Sequence, residues 1–196
     1  MIILGLTGSI ASGKSSVAFS LRKYFNAKTL DIDDVTHQLI APNQILYDLY
    51  LHHFGCHILN DDFSINKKKV ADIIFNDKHE RQWINSVAHP ILLDHARNFL
   101  VDCQAAHLPF VALEVPLLFD AGWQNLFDQI WCVYVPFDIQ IQRLMARDQL
   151  TYLQARRRIK SQYPVKRLIK KSHVAIRNFG SNVRQQIFHA AARLLP

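Results

Sequence analysis

Cysteines and long apolar runs are scarce in this chain, and each scarcity excludes a class of protein. The three cysteines, Cys56, Cys103 and Cys132, are an odd number and lie far apart, so the spacing indicates neither a disulfide framework nor a paired-cysteine metal site. No apolar run approaches the roughly 20 residues that a membrane-spanning helix needs, and the first residues lack a signal-peptide pattern. We therefore expect a soluble, cytoplasmic protein without a membrane partner.

Acidic residues are missing from the last quarter of the chain. No Asp or Glu follows Asp148, whereas lysines and arginines continue as far as Arg193, so the formal net charge of +7 arises entirely in this segment. Such a segment fits three descriptions: a nucleic-acid footprint, a basic flap over a bound triphosphate, or a solvated helix face. Composition alone leaves all three open.

What the chain does contain, near its start, is a phosphate-loop pattern of two glycines separated by four residues and followed by Lys and Ser. Gly8 and Gly13 allow a tight turn whose backbone N–H groups cradle phosphate oxygens. Lys14 can reach the β- and γ-phosphates, and the Ser15 hydroxyl can hold Mg²⁺. The predicted ATP-binding residues of this loop are Gly8, Ser9, Ile10, Ala11, Ser12, Gly13, Lys14, Ser15 and Ser16.

The flanks of the loop support this interpretation. Residues 2–7 are an apolar run that predicts a buried strand, and residues 16–25 carry apolar side chains at helical spacing. Strand, loop and helix is the order that the site requires, because the amino terminus of the helix adds partial positive charge. A chain of 196 residues, 49% of them hydrophobic, is long enough for one α/β core with a small inserted lobe.

The rest of the chain divides into strands and helices of this core and its insertion. Further strands are predicted over residues 28–31, 110–115, 130–135 and 174–177. Helices are predicted over residues 35–40, 45–54, 67–75, 79–87, 91–106, 152–162 and 182–195, with Pro90 at the start of the fifth. The stretch from 44 to 106 is too long for a single crossover, so we expect a helical lobe that offers a place for a second substrate.

Carboxylates follow two of the predicted strands. Asp31 and Asp33 come at the end of the second strand, where ligands bind in open α/β sheets. Asp33 is the candidate to take a proton from an attacking hydroxyl, and Asp34 the candidate cap of the next helix. Glu114 ends an apolar strand, which is costly unless a partner such as the loop and its metal lies nearby.

Two arginines complete the candidate site. Arg143 and Arg147 lie four residues apart in a predicted helix, so their side chains share one face. Opposite a triphosphate, two guanidinium groups would neutralise the charge that phosphoryl transfer spreads over the phosphate oxygens. An arginine pair on a solvated face fits the spacing equally well.

In their order and spacing these residues resemble the dephospho-CoA kinase family, over nearly the whole chain. The patterns that carry the resemblance are the phosphate loop, Asp31-x-Asp33, His89-Pro90, Glu114-x-Pro116-Leu117-Leu118-Phe119, Gln140-x-x-Arg143, Arg147-Asp148, Gln162 and Asn178-x-Gly180. The resemblance implies a three-layer α/β P-loop kinase with a parallel sheet. It also implies transfer of the ATP γ-phosphoryl group to the ribose 3′-hydroxyl of dephospho-CoA, with Mg²⁺, to give CoA and ADP.

The resemblance also assigns regions and roles. It implies a core of residues 1–37, 107–143 and 171–196, a CoA-binding lobe of about 38–106 and a lid of about 144–170. The catalytic residues would be Asp33, Lys14 and Arg143; ATP would further contact Arg147, Asn178 and Gly180; the acceptor would contact Asp33, His37, His89, Glu114 and Leu117. His37 stands where the family commonly has Arg. The implied partners are ATP and dephospho-CoA, without nucleic acid, in a monomer or small homo-oligomer.

Other classes of function remain open at this point. The loop also suits a kinase for another small acceptor, such as a nucleoside or sugar, and the basic carboxyl-terminal segment suits a nucleic-acid-associated ATPase. A nucleotide switch without catalysis is a further alternative. Substrate competition and salt-dependent nucleic-acid binding would distinguish these classes.

Overall fold

Parallel strands form a five-stranded sheet in the computed structural model, which describes residues 1–162 and 164–194. The strands are β1 (Ile2–Thr7), β2 (Lys28–Asp31), β3 (Phe110–Glu114), β4 (Gln129–Tyr134) and β5 (Val174–Arg177). Their order across the sheet is β2-β3-β1-β4-β5, with β1 at the centre. All pairs are parallel, so the carboxyl ends of the strands meet at one edge. The predicted parallel α/β core is confirmed.

Helices connect the strands, because parallel neighbours require long crossovers. They are α1 (Lys14–Phe25), α2 (Ile32–Leu39), α3 (Ile45–Phe54), α4 (Lys67–Asn76), α5 (Lys78–Ala105), α6 (Phe137–Asp148), α7 (Tyr152–Lys160), α8 (Val165–Lys171) and α9 (Val183–Ala191), with 3₁₀ turns at Cys56–Ile58 and Trp123–Leu126. Within residues 1–162 and 164–194, none is both long and apolar enough to cross a bilayer.

The main core lies between one face of the sheet and helices α1 and α9. Leu4 and Leu6 of β1 are fully buried on this face, because alternate strand residues point the same way. The helices contribute residues at helical spacing: Val17, Ala18 and Leu21 from α1, and Ile187, Ala190 and Ala191 from α9. Burial of each large aliphatic side chain favours folding by about 1.5–3 kcal/mol. This packing fixes α1, which carries the phosphate loop at its amino terminus.

Contacts divide the described chain into two compact units, residues 1–31 with 100–162 and 164–194, and residues 32–99. The second unit is mainly helical and has its own buried side chains, among them Leu46, Tyr50 and Leu92. Burial raises the pKa of Tyr50 to about 12, so its hydroxyl stays protonated at neutral pH. The ring of His53 stacks on Trp83 at a centroid distance of 3.6 Å, and its Nε2 lies 2.6 Å from a carboxylate oxygen of Glu80.

Helix α5 corrects a prediction. The sequence predicted two helices, 79–87 and 91–106, with Pro90 at the start of the second, but one helix runs from Lys78 to Ala105 with Pro90 inside it. Proline removes one backbone hydrogen bond and crowds the carbonyl group four residues earlier. Ala88 and Leu92 flank it at helical spacing and are buried, so tertiary packing overrides the local preference for a break.

Other helix boundaries also differ from the predictions. Helix α2 begins at Ile32, directly after β2, rather than at residue 35; Asp33 and Asp34 therefore lie in its first turn, and the prediction that Asp34 caps it was wrong. Both carboxylates still favour the helix, because its amino terminus is partially positive. Helix α9 ends at Ala191, with Ala192 as its cap. The predicted end at residue 195 lies outside the described residues.

Replacing the helical proline should stabilise the protein. We expect Pro90→Ala to raise the free energy of unfolding by about 1–3 kcal/mol, because alanine restores the missing N–H donor at an exposed helix position. Urea unfolding followed by circular dichroism measures the change. His95→Ala, at another exposed position of α5, is the control and should change stability far less. An unchanged or lower stability of Pro90→Ala would contradict the expectation.

Candidate active site

The phosphate loop connects β1 to α1 and has a backbone that few residue types can adopt. Gly8 and Gly13 have φ of 147° and 85°. A Cβ on Gly8 would lie 2.1 Å from the carbonyl oxygen of Val133, and one on Gly13 would lie 2.1 Å from Nδ2 of Asn178. Both positions therefore require glycine. Lys14 bends back over the loop, where its Nζ donates a hydrogen bond to the carbonyl of Gly8 at 3.1 Å.

Asn178 supports the loop from the end of β5. It is buried, and its Nδ2 donates to the carbonyls of Ser12 and Gly13 at 2.9 and 3.2 Å. Its own carbonyl accepts from a terminal nitrogen of Arg143 at 3.1 Å. The sequence predicted Asn178 as a neighbour of adenine; in the structure its amide contacts the loop backbone.

Two glutamines bind the peptide groups of Ile10. Gln140 of α6 donates from Nε2 to the carbonyl of Ile10 at 2.7 Å, and the N–H of Ile10 donates to Oε1 of Gln162 at 2.8 Å. Together with Asn178, these side chains satisfy loop groups on both sides of Ala11, whose φ is 56°. An L-residue adopts this left-handed conformation only at a cost, so the surrounding bonds have to hold it.

A pair of carboxylates, of which Glu114 is buried, lies beside the loop. Asp31 and Glu114 are register partners at the ends of β2 and β3. The hydroxyl of Ser15 donates to Oε2 of Glu114 at 3.0 Å. Burial, and then the charge of Asp31, raises the pKa of the Glu114 carboxyl, whereas Ser15 and Lys14 oppose that rise. Glu114, predicted to contact the acceptor, is therefore placed on the hydroxyl predicted to hold Mg²⁺.

The two arginines have different surroundings. Arg143 reaches towards the loop through its bond to Asn178. Arg147 forms two hydrogen bonds with Asp148, at 2.7 and 3.1 Å, and Arg158 of α7 contacts the same carboxylate at 2.6 Å. The bonds from Arg147 and the charges of both arginines hold the pKa of Asp148 below its usual range. Arg147 is thus part of a network that joins α6 to α7.

The remaining predicted site residues make none of the contacts with the phosphate loop described above. Leu117 is half exposed in the turn after β3, and Gly180 follows β5. Asp33 and His37 lie four residues apart in α2, so they share one helix face. His89 lies in α5 immediately before Pro90.

Gln140 and Gln162 carried no functional role in the prediction, although both belong to the family pattern. A signal was present for Gln140: it lies on the apolar stripe of α6 that includes Ile141 and Leu144, and a polar side chain on such a stripe needs a buried partner. Gln162 follows α7 in a polar segment where, apart from the family pattern, nothing in the local sequence distinguishes it from a solvated residue. Its partner lies 152 residues away along the chain.

Comparison with known proteins places this arrangement in a family. The family model described as dephospho-CoA kinase matches residues 2–184. The chain belongs to the dephospho-CoA kinase family. The dephospho-CoA kinase of Carboxydothermus hydrogenoformans is 36% identical over 187 residues, which cover 94% of this chain and 90% of the relative.

Solved structures share the fold of this chain. The crystal structure of TT1252 from Thermus thermophilus has a TM-score of 0.83 and 26% identity, covering 100% of this chain and 98% of that one. Dephospho-CoA kinase from Campylobacter jejuni has a TM-score of 0.68 and 24% identity, covering 98% and 96% of the two chains. Members of the family are kinases with the P-loop fold, and they catalyse the final step of CoA biosynthesis.

The buried carboxylate predicts a pH-dependent stability. We expect Glu114→Gln to raise the free energy of unfolding at neutral pH, because a neutral amide avoids burying a charge beside Asp31. The folded protein raises this pKa, so the folded state keeps the proton to a higher pH than the unfolded state, and charging the group destabilises the fold. The difference between the two proteins should therefore widen as the pH rises from about 4.3, the ordinary glutamate value, through the raised pKa.

Urea unfolding of both proteins at several pH values across this range measures the difference. The control is Asp120→Asn, which neutralises an exposed carboxylate in the loop after β3 and should show no comparable widening. A Glu114→Gln difference that stays constant with pH would contradict the burial of a charged Glu114.

Proposed function

We propose that this chain transfers the γ-phosphoryl group of ATP to the ribose 3′-hydroxyl of dephospho-CoA, producing CoA and ADP. The observation that carries the proposal is the phosphate loop, held in place by Asn178 and the two glutamines, with its Ser15 hydroxyl on buried Glu114. Such a loop binds a nucleotide triphosphate and its metal. Membership of the dephospho-CoA kinase family supports the choice of acceptor.

ATP would bind along the loop formed by residues 8–16. The inward N–H groups and the amino terminus of α1 would hold the β-phosphate, and Lys14 would exchange its bond to Gly8 for phosphate oxygens. Arg143 lies at the end of the loop and would add charge neutralisation. Asn178 would keep the loop in shape, with Gly180 close to the base. Arg147 would bind ATP only after giving up part of its hydrogen bonding to Asp148.

Mg²⁺ fits the donor set beside the loop. Among the described residues no group of three or more His, Cys, Asp or Glu side chains could hold a metal ion. Mg²⁺ in phosphoryl-transfer sites, however, keeps several waters and takes phosphate oxygens with one or two protein oxygens. Ser15 would be the direct ligand, with Glu114 and Asp31 holding metal-bound water. When bound, the ion neutralises charge on the β- and γ-phosphates.

The acceptor would use residues of the helical insertion. Asp33 would orient the ribose 3′-hydroxyl and accept its proton, since it directly follows β2 in sequence and a carboxylate suits that role. His37, His89 and Leu117 would contact the remainder of the acceptor. In this assignment residues 38–106 form the CoA-binding lobe and residues 144–170 the lid, and the three free cysteines suit a cytoplasmic location.

Acceptor specificity is the direct test. ADP release with Mg-ATP should be fast with dephospho-CoA and near background with adenosine, AMP or no acceptor, and the product should be heavier by one phosphoryl group. Lys14→Ala should lower kcat by at least about a hundredfold, because removing one electrostatic contact to the transferring group commonly costs that much. Lys28→Ala, an exposed lysine at the opposite end of β2, should remain active. ATP hydrolysis that ignores dephospho-CoA would refute the acceptor assignment.

The role of Asp33 can be tested by comparing its substitution with that of the neighbouring Asp34. Asp33→Asn should lower kcat by about 10²–10⁴-fold, the usual contribution of a positioned general base. ATP binding should change little, because Asp33 acts on the acceptor. Asp34→Asn, which alters a carboxylate in the same first turn of α2, is the matched control for the helix dipole and net charge. An equal loss of kcat in both variants would contradict the proposed role of Asp33.

A further inference from the structure

Ile10 connects the phosphate loop to α6, to α7 and to Gln162. Its carbonyl accepts from Gln140 and its N–H donates to Gln162, at 2.7 and 2.8 Å. Its side chain and that of Ala11 pack against a buried cluster of Ile141, Leu144 and Ala155. Backbone and side chain thus hold this point of the loop to the same two helices, α6 and α7.

The two glutamines that bind Ile10 differ in how deeply they are buried. Gln140 is buried within α6, next to Ile141 and Leu144, which belong to a buried cluster. Gln162 is half buried and comes directly after the exposed, arginine-rich helix α7. The N–H of Ile10 therefore depends on a segment with few buried side chains, of which Ala155 is one. Segments of this kind are the first to open in folded proteins.

Ala11, the residue after Ile10, is strained, so the loop needs the bond between Ile10 and Gln162 to keep its shape. Ala11 has φ of 56°, in the left-handed region, and its conformation persists only while neighbouring bonds hold it. Without Gln162, the Ile10 N–H would lose its partner beside a strained peptide. The N–H groups that follow, which face the phosphates, would then lose their common orientation.

We propose that Gln162 is a positioning residue for ATP binding, through which residues 152–162 set the shape of the phosphate loop. Gln162 does this without touching the nucleotide, by its bond to Ile10. Linkage makes the effect reciprocal, so phosphates that order the loop also hold residues 152–162 in place. The inference rests on the proposed function only for the identity of the nucleotide.

Binding of ATP without acceptor, measured by calorimetry, tests the proposal. Gln162→Leu keeps the size of the side chain and removes the acceptor oxygen. We expect ATP and ADP to bind about tenfold more weakly, because the nucleotide then has to order a loop that has lost one hydrogen bond, which contributes about 1 kcal/mol. KM for dephospho-CoA should stay within about twofold, because the loop does not bind the acceptor. Gln185→Leu, an exposed glutamine of α9, is the matched control and should bind ATP normally.

Hydrogen exchange separates this role from a general loss of structure. The peptide covering residues 8–15 should exchange faster in Gln162→Leu, whereas strand peptides stay protected. ATP should slow exchange in residues 152–162 of the unchanged chain and do so much less in the variant. Gln162→Met repeats both measurements, so a folding defect particular to leucine does not decide the result.

Three outcomes would overturn the proposal: ATP affinity within about twofold of the unchanged chain, equal rises in KM for both substrates, or loop exchange that does not respond to Gln162. Because ATP binding is measured alone, a failure to phosphorylate dephospho-CoA would count against the proposed function and not against this inference.

Discussion

The phosphate loop can bind phosphate only if its N–H groups turn inward, and this conformation leaves the opposite side of its backbone to be satisfied by the protein. Three side-chain amides do so: Asn178 for the carbonyls of Ser12 and Gly13, and Gln140 and Gln162 for Ile10. Unpaired backbone groups in this place would each cost about 1–3 kcal/mol. The shape of the loop therefore depends on elements separated from it by 130 residues or more.

The carboxylates next to the loop destabilise the fold, whereas the hydrogen bonds of the three amides stabilise it. Asp31 and Glu114 lie side by side at the edge of the sheet, and burial together with their mutual repulsion raises the pKa of Glu114. Such a pair disfavours the fold, yet oxygen atoms beside Ser15 are what a hydrated Mg²⁺ requires. Residues that lower stability are expected where a ligand later supplies the missing charge.

The basic carboxyl-terminal segment contains residues with different roles. Arg158 binds Asp148 and so joins α7 to α6, and Arg184 stacks over the ring of Tyr24 with its guanidinium carbon 4.5 Å from the ring centre. Gln162, which lies within this segment, binds the loop itself. Part of the charge excess is therefore used within the fold. The exposed face of α7 keeps the remaining arginines, Arg156 and Arg157.

Local sequence determined much of this protein. The glycines at 8 and 13, the lysine and serine that follow, the five short strands, and the capping box of Thr151 all follow from steric and hydrogen-bonding rules that act over a few residues. The order of motifs was also sufficient to predict the family. These features depend on neighbours in sequence, so a single chain displays them.

Tertiary structure decided the features that depend on residues far apart in the sequence. Pro90 lies inside α5 because buried residues on either side keep the helix continuous, against the local preference of proline. Glu114 was expected near the loop and its metal, but only the strand register shows that Asp31 is its neighbour and Ser15 its hydrogen-bond partner. Its contact with the acceptor stays a prediction. Gln162 acquires its role only when the fold brings the residues after α7 against Ile10 of the loop. Packing and long-range hydrogen bonds depend on the whole fold, and for that reason the sequence alone could not reveal them.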